Sequence, residues 1–91
     1  MNLYWVAEKE TEWGVFVFAQ SRNKARYMLP NFEDGIEYIT TKANLIGKTE
    51  EVEQETVVVD EFHPLYPIVL KLGGKFTSLE GEEEEGYQNG D

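Results

Sequence analysis

The chain contains no cysteine, which excludes disulfides, thiolate metal sites, iron–sulfur clusters and cysteine nucleophiles together. Histidine is nearly as scarce: His63 is the sole one, too few for a histidine-rich metal site. No apolar run approaches the roughly 18–20 residues that a membrane-spanning helix needs. The first residues, Met1-Asn2-Leu3-Tyr4-Trp5-Val6-Ala7-Glu8, lack a basic start and meet charge at once, unlike a signal peptide. Positive charge is also short, with 8 Lys+Arg against 18 Asp+Glu and a net charge of -10 over 91 residues. These absences lead to the expectation of a single small acidic domain in the cytoplasm.

The acids are unevenly distributed. Residues 79–91 carry six acids, no base and three glycines, with Leu79 and Tyr87 their sole large apolar groups. Such a segment cannot bury enough apolar surface to offset the entropy of ordering it. The reading is therefore one domain over residues 1–78 and a disordered acidic tail over 79–91. Within 1–78, 12 acids face 8 bases, and eleven aromatic side chains are available to build a core.

Residues 3–8 read as a strand, since Tyr4, Trp5 and Val6 favour extended backbone. The polar stretch from Lys9 to Glu12 makes a turn, and residues 13–19 form a second strand. That strand is apolar on both faces, with Trp13, Val15, Val17 and Ala19 on one and Phe16 and Phe18 on the other, so it belongs inside a covered sheet. Gly14 suggests a bulge or a ring packed across it. Ser21 is a plausible N-cap for a helix over 22–29 that buries Ala25, Met28 and Leu29, and Pro30 is expected to stop it. Residues 36–46 read as one long strand, 47–55 as a polar loop or short helix, and 56–59 as a further strand. Asp60 is a candidate cap for a last helix, which Pro64 and Pro67 restrict to residues from Tyr66 onward. Ile68, Val69 and Leu72 form its inner side, Gly73-Gly74 ends it, and Phe76 returns to the core. The fold class is α+β, a mostly antiparallel sheet in the order β-β-α-β-(β)-α. The expected core comprises Trp5, Trp13, Val15, Phe16, Val17, Phe18, Ala25, Leu29 and Ile39.

No residue pattern selects a reaction. Glu50, Glu51, Glu53 and Glu55 form one acidic run, followed by Asp60 and Glu61, but the alternating Asp/Asn and central Gly of a calcium loop are absent. These six are the candidate partner-binding residues. Ser21, Arg22 and Lys24 are a candidate anion site, because cations in a first helical turn oppose the helix dipole unless they serve an anion. Three of the eight bases fall within residues 22–26. His63, between Phe62 and Pro64, reads as a turn or packing residue, and Gly73-Gly74-Lys75 lacks the spacing of a phosphate-binding loop. The expectation is no enzyme, no cofactor and no metal. Direct nucleic-acid binding is disfavoured, since that affinity comes largely from cations displacing counterions. A basic protein, in contrast, would attract the chain through its long-range field.

The segment Phe16-Val17-Phe18-Ala19-Gln20-Ser21-Arg22-Asn23-Lys24-Ala25-Arg26-Tyr27 resembles one common in small uncharacterised bacteriophage proteins. There, a strand ending in Ala leads into Ser/Thr, Arg and a Lys-Ala helix. The resemblance spans about residues 3–46 and brings no site residues with it. It implies a phage or prophage accessory protein, and acidic proteins of that kind often inhibit host defence or nucleic-acid enzymes. The expectation is thus a protein that binds and inhibits a basic host protein, such as a nuclease, as a nucleic-acid mimic. The alternative is a phage structural or assembly accessory whose acidity serves only solubility.

Overall fold

A computed structural model describes residues 1–10, 13–32 and 35–76. Strands β1 (Asn2–Glu8) and β2 (Gly14–Ala19) form an antiparallel hairpin, followed by helix α1 (Arg22–Phe32). A 3₁₀ turn (Tyr38–Thr40) leads into β3 (Thr41–Lys48), and β4 (Thr56–Val58) and α2 (Tyr66–Lys71) complete the order. The four strands form one antiparallel sheet in the order β3-β1-β2-β4. The protein is therefore α+β, as its pattern of elements predicts. The predicted tail over 79–91 lies outside the described residues.

The two-faced apolar character of β2 has a direct structural counterpart. Val15, Val17 and Ala19 pack with Tyr4, Val6, Ala25, Leu29 and Ala43 in the layer beneath α1. Phe16 and Phe18 join Leu3, Val52, Val58, Tyr66 and Val69 in the layer beneath α2. All six residues of β2 are buried, because a helix covers each face of the sheet. On the α2 side, Phe16 meets Trp5 and Phe76 edge-on, both at 4.9 Å between ring centroids. Such offset aromatic contacts add to the area each ring removes from water.

Several elements depart from the sequence reading. Pro30 does not stop α1, which runs on to Phe32. Proline forfeits one intrahelical bond, and in a last turn few further bonds depend on it. The long strand expected over 36–46 begins only at Thr41 and continues to Lys48. Before it, the Thr40 N–H and hydroxyl donate to the Glu37 carbonyl at 3.0 and 2.8 Å, and the Thr41 hydroxyl donates to Tyr38 at 2.7 Å. These local bonds hold the 3₁₀ turn in competition with a sheet ladder. Ile39 consequently lies 71% exposed instead of in the core, and Trp13, just ahead of β2, is 44% exposed instead of buried. Trp13 still belongs to the hairpin turn, its carbonyl accepting from Glu8 N–H at 2.8 Å.

Gly14 pairs in register with Ala7, so it is not a bulge. It permits close approach, since a Cβ there would lie 2.4 Å from the Val6 carbonyl oxygen. The irregularity sits in β3, where Leu3 faces Gly47 but Tyr4 faces Leu45, leaving Ile46 as an extra residue that turns into the α2 layer. Asp60 does not cap α2, whose N-cap position is Leu65 without a side-chain bond. At the other end, Gly73 takes φ +104, with Gly73 N–H to Leu70 and Gly74 N–H to Val69 at 3.0 and 2.9 Å. That bonding pattern is a Schellman stop.

Candidate functional site

The acidic run is held on a loop pinned from within. Val52 is buried in the α2 layer and Thr49 is buried beside it, with Thr49 N–H bonded to the Met1 carbonyl at 2.9 Å. The Thr49 hydroxyl accepts from Glu51 N–H at 3.0 Å, which fixes the bend. Around these anchors Glu50, Glu51, Glu53 and Glu55 are all exposed. The loop then enters β4, whose three residues pair with Phe18, Val17 and Phe16, and beyond it Asp60 and Glu61 are again exposed. The six carboxylates thus bracket a short edge strand. Glu55 and Asp60 are separated by no more than about 17 Å of extended chain.

Three of the six have partners within the molecule. The Glu51 carboxylate pairs with Lys71 Nζ at 2.7 Å, both side chains being exposed. This is the sole ion pair among the described residues, and exposed pairs of this kind contribute little. Glu55 Oε2 accepts from Gln20 N–H at 3.2 Å. Asp60 Oδ1 accepts from Phe62 N–H at 2.9 Å, a side-chain turn of the kind short acids favour.

The candidate anion residues lie nearby, at the start of α1. The Ser21 hydroxyl accepts from Lys24 N–H at 3.2 Å and acts as the N-cap. Arg22 and Lys24 are exposed, while the chain's own Glu55 carboxylate is bonded one residue before the cap. The structure therefore brings the anion candidates beside one of the acidic candidates. Arg26, the third base of the patch, serves the fold. Its Nε and Nη2 donate to Thr41 Oγ1 and the Tyr38 carbonyl at 3.2 and 3.1 Å, and its guanidinium lies 4.2 Å over the Tyr38 ring. Tyr27 stacks on Tyr38 at 4.2 Å.

His63 is a turn residue: its Nδ1 accepts from Leu65 N–H at 3.0 Å, and its carbonyl accepts from Tyr66 N–H at 2.9 Å. From sequence, its neighbour Phe62 is one of the eleven aromatic side chains available to the core. The structure leaves Phe62 87% exposed, the most exposed of the large apolar side chains described. The signal for it was local, an Asp two residues before the ring and a proline two residues after it, which mark a turn instead of a buried strand.

Among the described residues, no group of three His, Asp or Glu side chains is placed to hold a metal ion, and no helix is long and apolar enough to cross a membrane. Comparison with protein-family models, with curated proteins and with solved structures found no match for the chain.

Proposed function

We propose that this is a non-enzymatic binding protein that docks its acidic β4 margin on a basic surface of another protein. One observation carries the reading: Glu50, Glu51, Glu53, Glu55, Asp60 and Glu61 are all exposed around one edge strand, and among the described residues Glu51 alone has a cationic partner. Carboxylates left in water retain their field, which steers a basic partner and speeds its association. In its finer form the proposal is a cytoplasmic inhibitor of a basic host protein, a nuclease or other nucleic-acid-binding protein, which it occupies as a nucleic-acid mimic. The net charge of -10 and the phage-like segment over residues 16–27 support that form.

The experiment is affinity purification from a bacterial host, followed by kinetics on the purified complex. Association is expected to slow steeply from low to moderate salt, because charges are screened over roughly 8–10 Å at physiological ionic strength. Exchanging Glu50, Glu53, Asp60 and Glu61 for Gln or Asn is expected to weaken binding with the fold intact, and duplex DNA to compete for the partner. A complex that survives saturating DNA and ignores the charge exchanges refutes the proposal. Virion proteins as the main co-purifying species would instead favour an assembly accessory whose acidity serves solubility.

A further inference from the structure

The turn between β4 and α2 holds an apolar side chain out in solvent on a closely bonded frame. Val58 on one side and Tyr66 on the other are buried, and Leu65 is half-buried. Between them, Asp60 Oδ1 accepts from Phe62 N–H at 2.9 Å and the Asp60 carbonyl accepts from His63 N–H at 3.3 Å. Leu65 N–H and Tyr66 N–H bond back to His63 at 3.0 and 2.9 Å. The Tyr66 hydroxyl in turn accepts from Phe76 N–H at 2.9 Å, tying the turn to the core. Phe62 takes part in none of that packing, and its ring is 87% exposed. The residue before Asp60, Val59, is exposed as well, and Asp60 and Glu61, the two residues that precede Phe62 in the chain, are exposed acids.

We propose that Phe62 is the anchor by which this surface binds a partner, inserting into an apolar pocket rimmed by lysine or arginine. The inference rests on the acidic margin being a binding surface and adds the residue and the partner chemistry. Binding energy at interfaces concentrates in a few large side chains that fill pockets, surrounded by polar groups that add specificity. A backbone already held by its turn loses little freedom on docking. The adjacent carboxylates select a basic rim, since an acidic one would be repelled.

The test uses the full chain and a display library of peptides built from lysine, arginine, leucine, phenylalanine and serine. The strongest selected peptide is synthesised with a fluorescent label, and its affinity is measured by anisotropy. Phe62→Ala is expected to weaken it at least about 30-fold, the loss typical of an interface hot spot. Phe62→Trp should largely retain it, and Asp60→Asn with Glu61→Gln should weaken it in a salt-dependent way. Because the ring is exposed, the thermal midpoint of each Phe62 variant should match the parent. An affinity unchanged by Phe62→Ala but lost on the acid exchanges overturns the anchor and leaves the acidic surface standing. An affinity unchanged by either set, or a library that yields no binder, overturns both.

Discussion

Replacing Gly14 by alanine sets two effects of opposite sign against each other. In a strand interior, alanine is favoured over glycine by roughly 0.5–1 kcal/mol, because glycine loses more backbone freedom on folding. Here the added Cβ would lie 2.4 Å from the Val6 carbonyl oxygen and 2.9 Å from Ala7 Cα. Those are backbone atoms of β1, which is itself bonded to β3 through Val6↔Ala43 and Ala7↔Lys42 and has no room to withdraw. Forcing extra atoms into a packed site costs about 1–3 kcal/mol, more where backbone must move, so the steric term wins. A net loss of about 1–2 kcal/mol lowers the midpoint of a domain this size by roughly 4–16 °C. Gly47→Ala is the control. Its Cβ would lie 3.3 Å from Leu72 Cβ, a contact that needs a shift of only a few tenths of an ångström, against the 2.4 Å approach at Gly14. Thermal unfolding followed by far-UV circular dichroism, with urea midpoints at unchanged m-value, measures both variants. A Gly14→Ala midpoint equal to or above that of Gly47→Ala would refute the close-approach account.

Phe16→Ala removes the ring that Trp5 and Phe76 contact edge-on, and is expected to cost about 3–5 kcal/mol and to collapse the near-UV dichroism of the aromatic layer. A midpoint unchanged by that substitution would show that α2 does not cover the sheet. Ser21→Ala should cost about 1 kcal/mol by removing the acceptor for Lys24 N–H, and Ser21→Gly only a few tenths. Equal losses in the two variants would mean that the hydroxyl is not the cap.

The parts of the fold that could be read from the chain are those decided by neighbouring residues. An unbroken apolar stretch such as Val15–Ala19 can satisfy both its faces only between two covering layers, and the two helices supply them. The pair Gly73-Gly74 provides the left-handed residue that ends α2, again a local matter. The departures come from distant contacts. Residues 36–40 have the composition of a strand, but Arg26 reaches twelve residues forward to the Tyr38 carbonyl and helps hold the 3₁₀ turn. The extra residue at Ile46 shifts the register of β3, so that Gly47 instead of Ile46 faces Leu3, which strict alternation cannot foresee. At the site, the identity of the acids was plain and their exposure followed from it. Their engagements were not, because the Glu51–Lys71 pair and the Glu55–Gln20 bond join segments 20 and 35 residues apart.

The two edges of the sheet bear on how any partner would be held. An exposed edge strand offers unpaired backbone groups that can recruit another strand, and proteins blunt that offer with charge, bulges and short length. The β3 edge carries exposed Lys42 and Lys48 and the irregularity at Ile46. The β4 edge has three residues, too short for more than one or two strand-to-strand bonds, and acids stand at both its ends. Pairing of a partner strand along β4 would also bring that strand's backbone between Glu55 and Asp60, where anionic side chains favour cationic ones but add nothing to a ladder. Recognition at this margin is therefore a matter of side chains rather than backbone. The steep salt dependence expected of the carboxylates and the exposed ring of Phe62 are two separable contributions to it: the first acts on the rate of encounter, the second on the lifetime of the complex.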